Sequence, residues 1–249
     1  MTSITGKTVV VTGGSRGIGL GLVKKFLARD NVVIATSRKA SDAAQLQQLL
    51  QTYPKHLQIT DLDTSAPSSI ATWAEQVKAS GVKHVDVLVN NAGRYGTRSA
   101  LQELTAEDFQ AAFQTNSMGP FFVLQQLLKQ GLLGCPAPGQ PGAGSLVVNI
   151  SSIMGSNADP TVSAVTPGGY AYRASKAALN ALSTTLSRDL AALGVQVVAL
   201  HPGYVRTDMT GGNGYIDVEE SATGLMAVLE SGQPLNGRFL SYNGDEIPW

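Results

Sequence analysis

The stretch KTVVVTGGSRGIGLGLVKKFLAR, residues 7–29, sets an apolar run, a glycine-rich turn and a helical pattern back to back. Consecutive valines with no polar alternation are the pattern of a strand buried on both faces of a parallel sheet. Gly17 to Arg29 then reads as a helix. Between them, TGGSRGIG spans Thr12 to Gly19. Glycines 13, 17 and 19 leave room for a tight turn and let backbone N–H groups approach a phosphate, and the helix N-terminus adds its partial positive charge. A glycine-rich string alone is also compatible with a plain turn. Its position between the first strand and the first helix is what points to a dinucleotide.

Outward from this unit the alternation continues. NVVIATSR (31–38) is a second strand, and SDAAQLQQLLQ (41–51) opens with a Ser/Asp start signal for a second helix. KHLQITDLD (55–63) is a third strand, followed by a helix that begins at Pro67 and stops near Gly81. HVDVLVNNAG (84–93) is the fourth, with a long helix from about Thr105 to Lys129 after it. A Pro/Gly loop, GLLGCPAPGQPGAG (131–144), leads to the fifth, SLVVNISS (145–152). The next helix carries leucines at 179, 182, 186, 190 and 193 as one apolar stripe, ends at Gly194, and is followed by VQVVALHPG (195–203) as the sixth strand. A short helix from about Val218 to Glu230 and the run GRFLSYNG finish the chain. Such alternation predicts an α/β fold of Rossmann type, a doubly wound parallel sheet with helices on both faces. No internal repeat or linker interrupts it, so residues 1–249 are expected to form a single dinucleotide-binding and catalytic domain.

Composition narrows the function classes. The 249 residues are 43% hydrophobic and 14% charged, a globular balance. Eighteen basic residues face 18 acidic ones, so no net field favours nucleic acid or an anionic membrane as a partner. The absence of a long apolar run and of a signal-like start leads to the expectation of a soluble, cytoplasmic protein. The single cysteine, Cys135, fits a reducing compartment and reads as a loop thiol. His56, His84 and His201 lack metal-ligand spacing, so no metal is expected. Trp73 and Trp249 read as packing residues.

Two further features carry chemistry. Where an NAD-preferring site places a carboxylate after the second strand, this chain has ATSRKA (35–40), with Arg38, Lys39 and no acid; Arg16 in the glycine loop adds a second cation. Both arginines are also compatible with a solvated surface, but a ribose 2′-phosphate needs cations, which makes NADP(H) the expected cofactor. The second feature is YAYRASKAAL (170–179). Tyr172 precedes Lys176 by four residues and shares its helix face, whereas Tyr170 has only Ala174 at that offset. Tyr172 alone has a cation placed to act on it; Tyr170 reads as packing or mouth lining. An ordinary amphipathic helix would account for the pair as well.

With these residues in hand, the chain resembles the short-chain dehydrogenase/reductase family over nearly its full length. TGGSRGIG looks like the family's cofactor loop, NNAG (90–93) its fourth-strand motif, and Asn116 its catalytic-site asparagine. NISS (149–152), YRASK (172–176) and HPGYVRT (201–207) look like its serine, tyrosine–lysine and nicotinamide segments. HPGYVRTDM and the ending GRFLSYNGDEIPW look most like the C-factor and sniffer-like carbonyl reductase branch. The resemblance implies a catalytic tetrad of Asn116, Ser152, Tyr172 and Lys176, and reduction of a small ketone or aldehyde. It also implies that Gly13, Ser15, Arg16, Gly17, Ile18 and Gly19 hold the diphosphate, that Arg38 stands at the ribose, and that Asp63 and Thr64 contact adenine, with Asp61 competing for that alignment. Asn90, Ala92 and Gly93 would line the adenosine side, and Pro202, Gly203, Val205 and Thr207, with Tyr172 and Lys176, the nicotinamide. Helix pairing in the family implies a homodimer or homotetramer, although burial against the sheet explains the leucines equally well. The gap between Ser152 and Tyr172 is longer than the family's usual one, and its stretch MGSNADPTVSAVTPGG (154–169) is expected to bulge as a loop beside the substrate mouth.

In such chemistry a proton must reach oxygen as hydride reaches carbon, so an acid must stand within hydrogen-bond reach. A free phenol, at about 10, is a weak acid, and a nearby Lys⁺, helped by the charge of oxidised nicotinamide, is expected to lower Tyr172. Ser152 would donate a second hydrogen bond to the carbonyl oxygen. The resemblance gives Asn116 the role of tying Lys176 to a water chain. A sensor or signalling protein that keeps the fold without turnover, or a biosynthetic ketoreductase, are the rival readings.

Overall fold

The computed structural model describes residues 3–135, 144–163 and 168–249. The six expected strands form, and the run near the end of the chain supplies a seventh: β1 (Thr8–Val11), β2 (Val32–Ser37), β3 (Leu57–Asp61), β4 (Val87–Asn90), β5 (Ser145–Ile150), β6 (Val195–His201) and β7 (Phe239–Ser241). Side chains on neighbouring strand positions point to opposite faces, and the core divides accordingly. Val9 and Val11 belong to one cluster with Leu22, Phe26 and Leu225. Val10 belongs to the other, with Ile70, Trp73 and Leu127. A strand with apolar residues on both faces needs helices on both. On one side these are α1 (Gly17–Leu27), α2 (Ala44–Thr52) and α8 (Val218–Glu230); on the other, α3 (Pro67–Ala79), α4 (Ala106–Phe113), α5 (Gly119–Lys129) and α7 (Tyr170–Asp189). A one-turn helix, α6 (Pro160–Ser163), precedes α7.

Among the described residues there is one sheet, ordered β3-β2-β1-β4-β5-β6-β7 and parallel throughout. Val10 lies beside Ile34 on one flank and Leu88 on the other. The chain steps outward from β1 toward β3, then returns to β4 and steps the other way. That reversal leaves a crevice outside the carboxyl ends of β1 and β4, where ligands of open α/β sheets bind. The glycine loop and NNAG leave the sheet at those two strand ends. His201 and the segment after it leave at the end of β6.

Two helices depart from the sequence expectation. The span expected as one helix from Thr105 to Lys129 is α4, one turn of π-helix over Gln114–Met118, and α5. It opens with a capping box in which Asp108 N–H donates to Thr105 Oγ1 at 3.3 Å and Thr105 N–H to Asp108 Oδ2 at 3.0 Å. Residue 120 is proline, so the carbonyl of Asn116 has no i+4 donor, and the ladder widens there. The helix carrying Lys176 ends at Asp189; a 3-10 turn over Ala191–Leu193 precedes Gly194. The leucine stripe is only part of its buried face: Leu179 and Leu190 are buried and Leu186 packs against the core. Leu193 is 52% exposed, and the residues turned inward include Ser175, Leu179, Asn180, Ser183 and Ser187. Small polar side chains dock this helix on the sheet: Asn149 Nδ2 donates to Ser183 Oγ at 2.8 Å, and Ser151 Oγ to Asn180 Oδ1 at 2.6 Å.

The stretch expected to bulge after Ser152 is ordered at its start. A 3-10 turn covers Ile153–Gly155, Ser156 Oγ donates to the carbonyl of Pro248 at 2.5 Å, and α6 follows. Residues 164–167 of that stretch, like 136–143 of the Pro/Gly loop, lie outside the described residues. Trp73 is buried and donates from Nε1 to Thr60 Oγ1 at 3.0 Å, and Trp249 stacks on Phe239 at 5.3 Å.

Candidate active site

The glycine loop is cinched to β4. Asn91 Nδ2 donates to the carbonyls of Thr12 and Gly13, both at 3.0 Å, and Thr12 Oγ1 accepts from the N–H groups of Asn91 and Ala92 at 3.0 and 3.1 Å. Gly13 and Gly17 take positive φ, 64° and 54°. A Cβ on Gly19 would stand 2.3 Å from Gly13 O and 2.4 Å from Asn91 Nδ2, so α1 starts closer to the loop than any side chain permits. A backbone concavity at a helix N-terminus, with no side chain filling it, fits a diphosphate. Ser15 and Ile18 are half-buried in this turn, and Arg16 is exposed with a guanidinium 3.5 Å from Asp208.

At the ribose corner Arg38 is exposed, close enough to Asp63 to favour its ionised form. Asp63 lies below the ordinary carboxylate range chiefly through its hydrogen bond from Ser65 Oγ, 2.6 Å long. Asp61, its competitor in the sequence, is turned aside: its carboxylate accepts from Ala40 N–H at 2.5 Å. Thr64 is buried next to Gly119. Asn90 is buried in the sheet, donating to Asn149 Oδ1 at 2.9 Å, and its own Oδ1 has no partner among the described residues.

Farther along the crevice, four side chains from three elements gather. The adjacent serines part: Ser151 faces α7, while Ser152 caps the 3-10 turn, its Oγ accepting from Met154 N–H at 3.2 Å. Tyr172 is buried, hydrogen-bonded with Ser152 and 5.8 Å, ring centroid to Nζ, from Lys176. Lys176 donates to the carbonyl of Ile150 at 2.7 Å. A Cβ on Gly155 would lie 2.7 Å from the Lys176 carbonyl carbon, so glycine there lets the turn after Ser152 press on the helix beside Lys176. Asn116 comes in from the π-turn. A Cβ placed on Gly93 would be 3.4 Å from Asn116 Oδ1 and 3.9 Å from Lys176 Nζ, so these three converge. The Asn116 amide is engaged with protein: it accepts from Arg94 N–H at 2.9 Å and donates to Arg94 O at 2.8 Å and Ser175 Oγ at 3.0 Å.

Electrostatics corrects one expectation. The chain's own groups do not lower Tyr172: burial pushes its phenol up to about 12, with Tyr95 adding to the rise and the Ser152 hydrogen bond opposing it. Burial also brings Lys176 down to about 8, which weakens the cation expected to act on the phenol.

The segment after β6 reaches back over the loop. Pro202 is buried and its carbonyl accepts from Ser221 Oγ at 2.6 Å; Gly203 follows at φ 87°; buried Val205 bridges to Ile216. Thr207 Cγ2 lies within 3.5 Å of a Cβ position on Gly17, which places this segment against the glycine loop. Tyr170 is 41% exposed at the mouth. Sequence reasoning passed over Asn91, although NNAG contains it, and Tyr95. The Tyr95 ring stacks on Tyr172 at 4.8 Å and 30°, a contact between residues 77 positions apart that no local pattern signals.

The family model described as short chain dehydrogenase matches residues 7–214, most of the chain. The chain belongs to the short chain dehydrogenase family. Among relatives, C-signal of Myxococcus xanthus is 40% identical over 168 residues, covering 66% of this chain and 93% of that protein. Among solved structures, the NADPH-bound carbonyl reductase from chicken fatty liver superposes with a TM-score of 0.84 at 32% identity, over 99% of this chain and 100% of that one. Carbonyl reductase Sniffer of D. melanogaster gives 0.83 at 28%, over 98% and 100%. These short chain dehydrogenases place the chain beside the C-factor and sniffer-like branch that its sequence resembles. Among the described residues, no helix is long and apolar enough to cross a membrane.

Proposed function

We propose that the chain is an NADPH-dependent carbonyl reductase, residues 1–249 acting as one cytosolic dinucleotide-binding and catalytic unit, with Asn116, Ser152, Tyr172 and Lys176 as its tetrad. The observation that carries this reading is the gathering of those four side chains in the crevice that the glycine loop opens onto: Asn116 and Lys176 beside Gly93, Tyr172 near Lys176, and Ser152 hydrogen-bonded with Tyr172. The likeness to an NADPH-bound carbonyl reductase along the whole chain supports the same choice of cofactor.

In this reading the diphosphate rests on Gly13, Ser15, Arg16, Gly17, Ile18 and Gly19, and the 2′-phosphate meets Arg16 and Arg38. Adenine lies by Asp63 and Thr64, with Asn90, Ala92 and Gly93 along the adenosine side; Pro202, Gly203, Val205 and Thr207 cover the nicotinamide. When bound, reduced nicotinamide supplies a hydride to the carbonyl carbon. The chain's own residues manage the oxygen. Tyr172 Oη donates a proton to it as its negative charge develops, giving the alcohol. Ser152 Oγ, already hydrogen-bonded with Tyr172, donates a second hydrogen bond that orients the carbonyl. A phenol held near 12 is fully protonated at neutral pH, so it is ready as an acid; its anion needs the help of Lys176 and of the positive charge on oxidised nicotinamide. In this scheme the Asn116 amide is a strut that holds the Arg94 backbone and Ser175, and Asn116 ties Lys176 to a water chain.

The test is loss of NADPH absorbance over a panel of small ketones, diketones and aldehydes, with wild type and Tyr172→Phe side by side. Turnover that disappears in Tyr172→Phe while NADPH still binds supports the reading. NADPH binding without turnover on any carbonyl would favour a dinucleotide sensor, a reading that the similarity to C-signal keeps in view.

A further inference from the structure

We propose that Tyr95 is a positioning residue for the acid, bracing the ring of Tyr172 and the start of its helix from the β4–α4 connection. This rests on the reading of Tyr172 as the proton donor. Tyr95 lies two residues beyond the NNAG turn, and its ring covers Tyr172 with centroids 4.8 Å apart and planes 30° from parallel. Stacking in this geometry adds attraction beyond area alone and removes water from the covered face. Its hydroxyl reaches the far side of the same helix start: a Cβ on Gly169 would stand 2.8 Å from Tyr95 Oη. Gly169 is the left-handed residue, φ 67°, immediately before α7, and its carbonyl accepts from Arg173 N–H at 2.8 Å to begin the helix. One side chain thus touches both the ring that would donate the proton and the turn that launches the helix bearing it. The Tyr95 end is held in place too. Asn116 grips both backbone groups of Arg94, the residue before it, and the Arg98 guanidinium lies 5.1 Å from the Tyr95 ring centre.

Among the described residues, the groups facing Tyr172 are Ser152 from the end of β5, Tyr95 from the β4–α4 connection with Arg98 upon it, and Lys176 on its own helix. Burial is the largest influence on Tyr172, and Tyr95 acts in the same direction. Trimming Tyr95 therefore removes two influences of one sign, and the phenol ionises at lower pH. A residue that only filled space elsewhere would leave that titration alone.

The experiment is a pH titration of the Tyr172 Cζ resonance in protein carrying ¹³Cζ-tyrosine, with the signal assigned by its disappearance in Tyr172→Phe. Neither substrate nor nicotinamide is present. In wild type the resonance should stay in its phenol position to about pH 11; in Tyr95→Ala ionisation should come about one unit earlier, and in Tyr95→Phe, which keeps the stack but loses the hydroxyl and its charge at high pH, it should fall between the two. Gly169→Ala presses on the same brace from the helix side and is expected to move the titration the same way as Tyr95→Ala. Carbonyl turnover, measured separately, should fall about tenfold in kcat for Tyr95→Ala and recover in Tyr95→Phe. An unmoved titration in both Tyr95→Ala and Gly169→Ala overturns the inference while leaving the proposed function intact. A shifted titration in a protein that reduces no carbonyl would retain the brace and remove the proposed function.

Discussion

Replacing Gly19 with alanine tests the glycine cradle at its tightest point. The new methyl would stand 2.3 Å from Gly13 O and 2.4 Å from Asn91 Nδ2, and neither is the free end of a flexible chain. Gly13 O belongs to the loop backbone, and the Asn91 amide is fixed by two hydrogen bonds of 3.0 Å to Thr12 O and Gly13 O. Forcing a methyl into such a space costs about 1–3 kcal/mol. Losing the two hydrogen bonds costs about 1 kcal/mol each. Alanine returns up to about 1 kcal/mol of helix propensity, since residue 19 lies in the first turn of α1. The net loss is roughly 2–4 kcal/mol, which in a chain of this size lowers Tm by about 5–15 °C. The same displacement widens the gap between the loop and the α1 N-terminus, so NADPH affinity should drop by at least about tenfold, or 1.4 kcal/mol. Thermal unfolding followed by circular dichroism and NADPH titration by fluorescence read the two effects independently. Gly6→Ala separates backbone strain from the clash: its φ is positive, 65°, unlike that of Gly19, and a Cβ there meets nothing within 4 Å. A Gly19→Ala protein with wild-type Tm and wild-type NADPH affinity would refute the reasoning about both the contact and the cradle.

Tyr172→Phe should reduce kcat by about a thousandfold or more with NADPH Kd close to wild type, while Tyr170→Phe, at a half-open mouth, should stay within about threefold; a dead Tyr170→Phe reverses the assignment. For cofactor choice, Arg38→Asp should weaken NADPH and improve NADH, and Arg16→Ala should weaken NADPH by roughly tenfold, each arginine contributing about 1–2 kcal/mol at most because both are exposed. The kcat/KM ratio for the two nucleotides at one ionic strength decides it, and an unchanged ratio in Arg38→Asp would sink the claim. Burial holds His201 down at about 4, against an ordinary 6.5, so the unfolded chain binds its proton first as pH falls. Stability from this group is complete above 6.5 and should drop by roughly 2 kcal/mol between pH 6.5 and 5; His201→Gln should flatten that part of a Tm-versus-pH curve, and an unaltered curve would show that other groups govern it. Light scattering at micromolar concentration tests the expected homodimer or homotetramer, which a monomer would exclude.

Apolar valine runs and a glycine loop between the first strand and the first helix are local signals, and they determined the sheet, its parallel sense and the crevice where β1 and β4 part. Period and spacing survive in one dimension because strands and helices repeat within a few residues. The motifs that resemble the family, from TGGSRGIG to HPGYVRT, were legible for the same reason: each is a short local stretch. What the tertiary structure decided lay between distant residues. Burial raises Tyr172, with Tyr95 adding to the rise and Ser152 opposing it from two other elements, and the spacing of Tyr172 and Lys176 records none of these. The leucine stripe accounts for only part of the buried face, because Leu193 falls in the 3-10 turn beyond α7, and small serines and asparagines on α7 bond Asn149 and Ser151, contacts that hydrophobic periodicity does not count. Asn116 stood out only through the family resemblance, since by periodicity it is an ordinary helix position; the π-turn, where Pro120 removes a donor, carries its side chain to Gly93. Pairing across the fold, and the water it excludes, sets the chemistry of these groups, and neither quantity is written in any one segment of the chain.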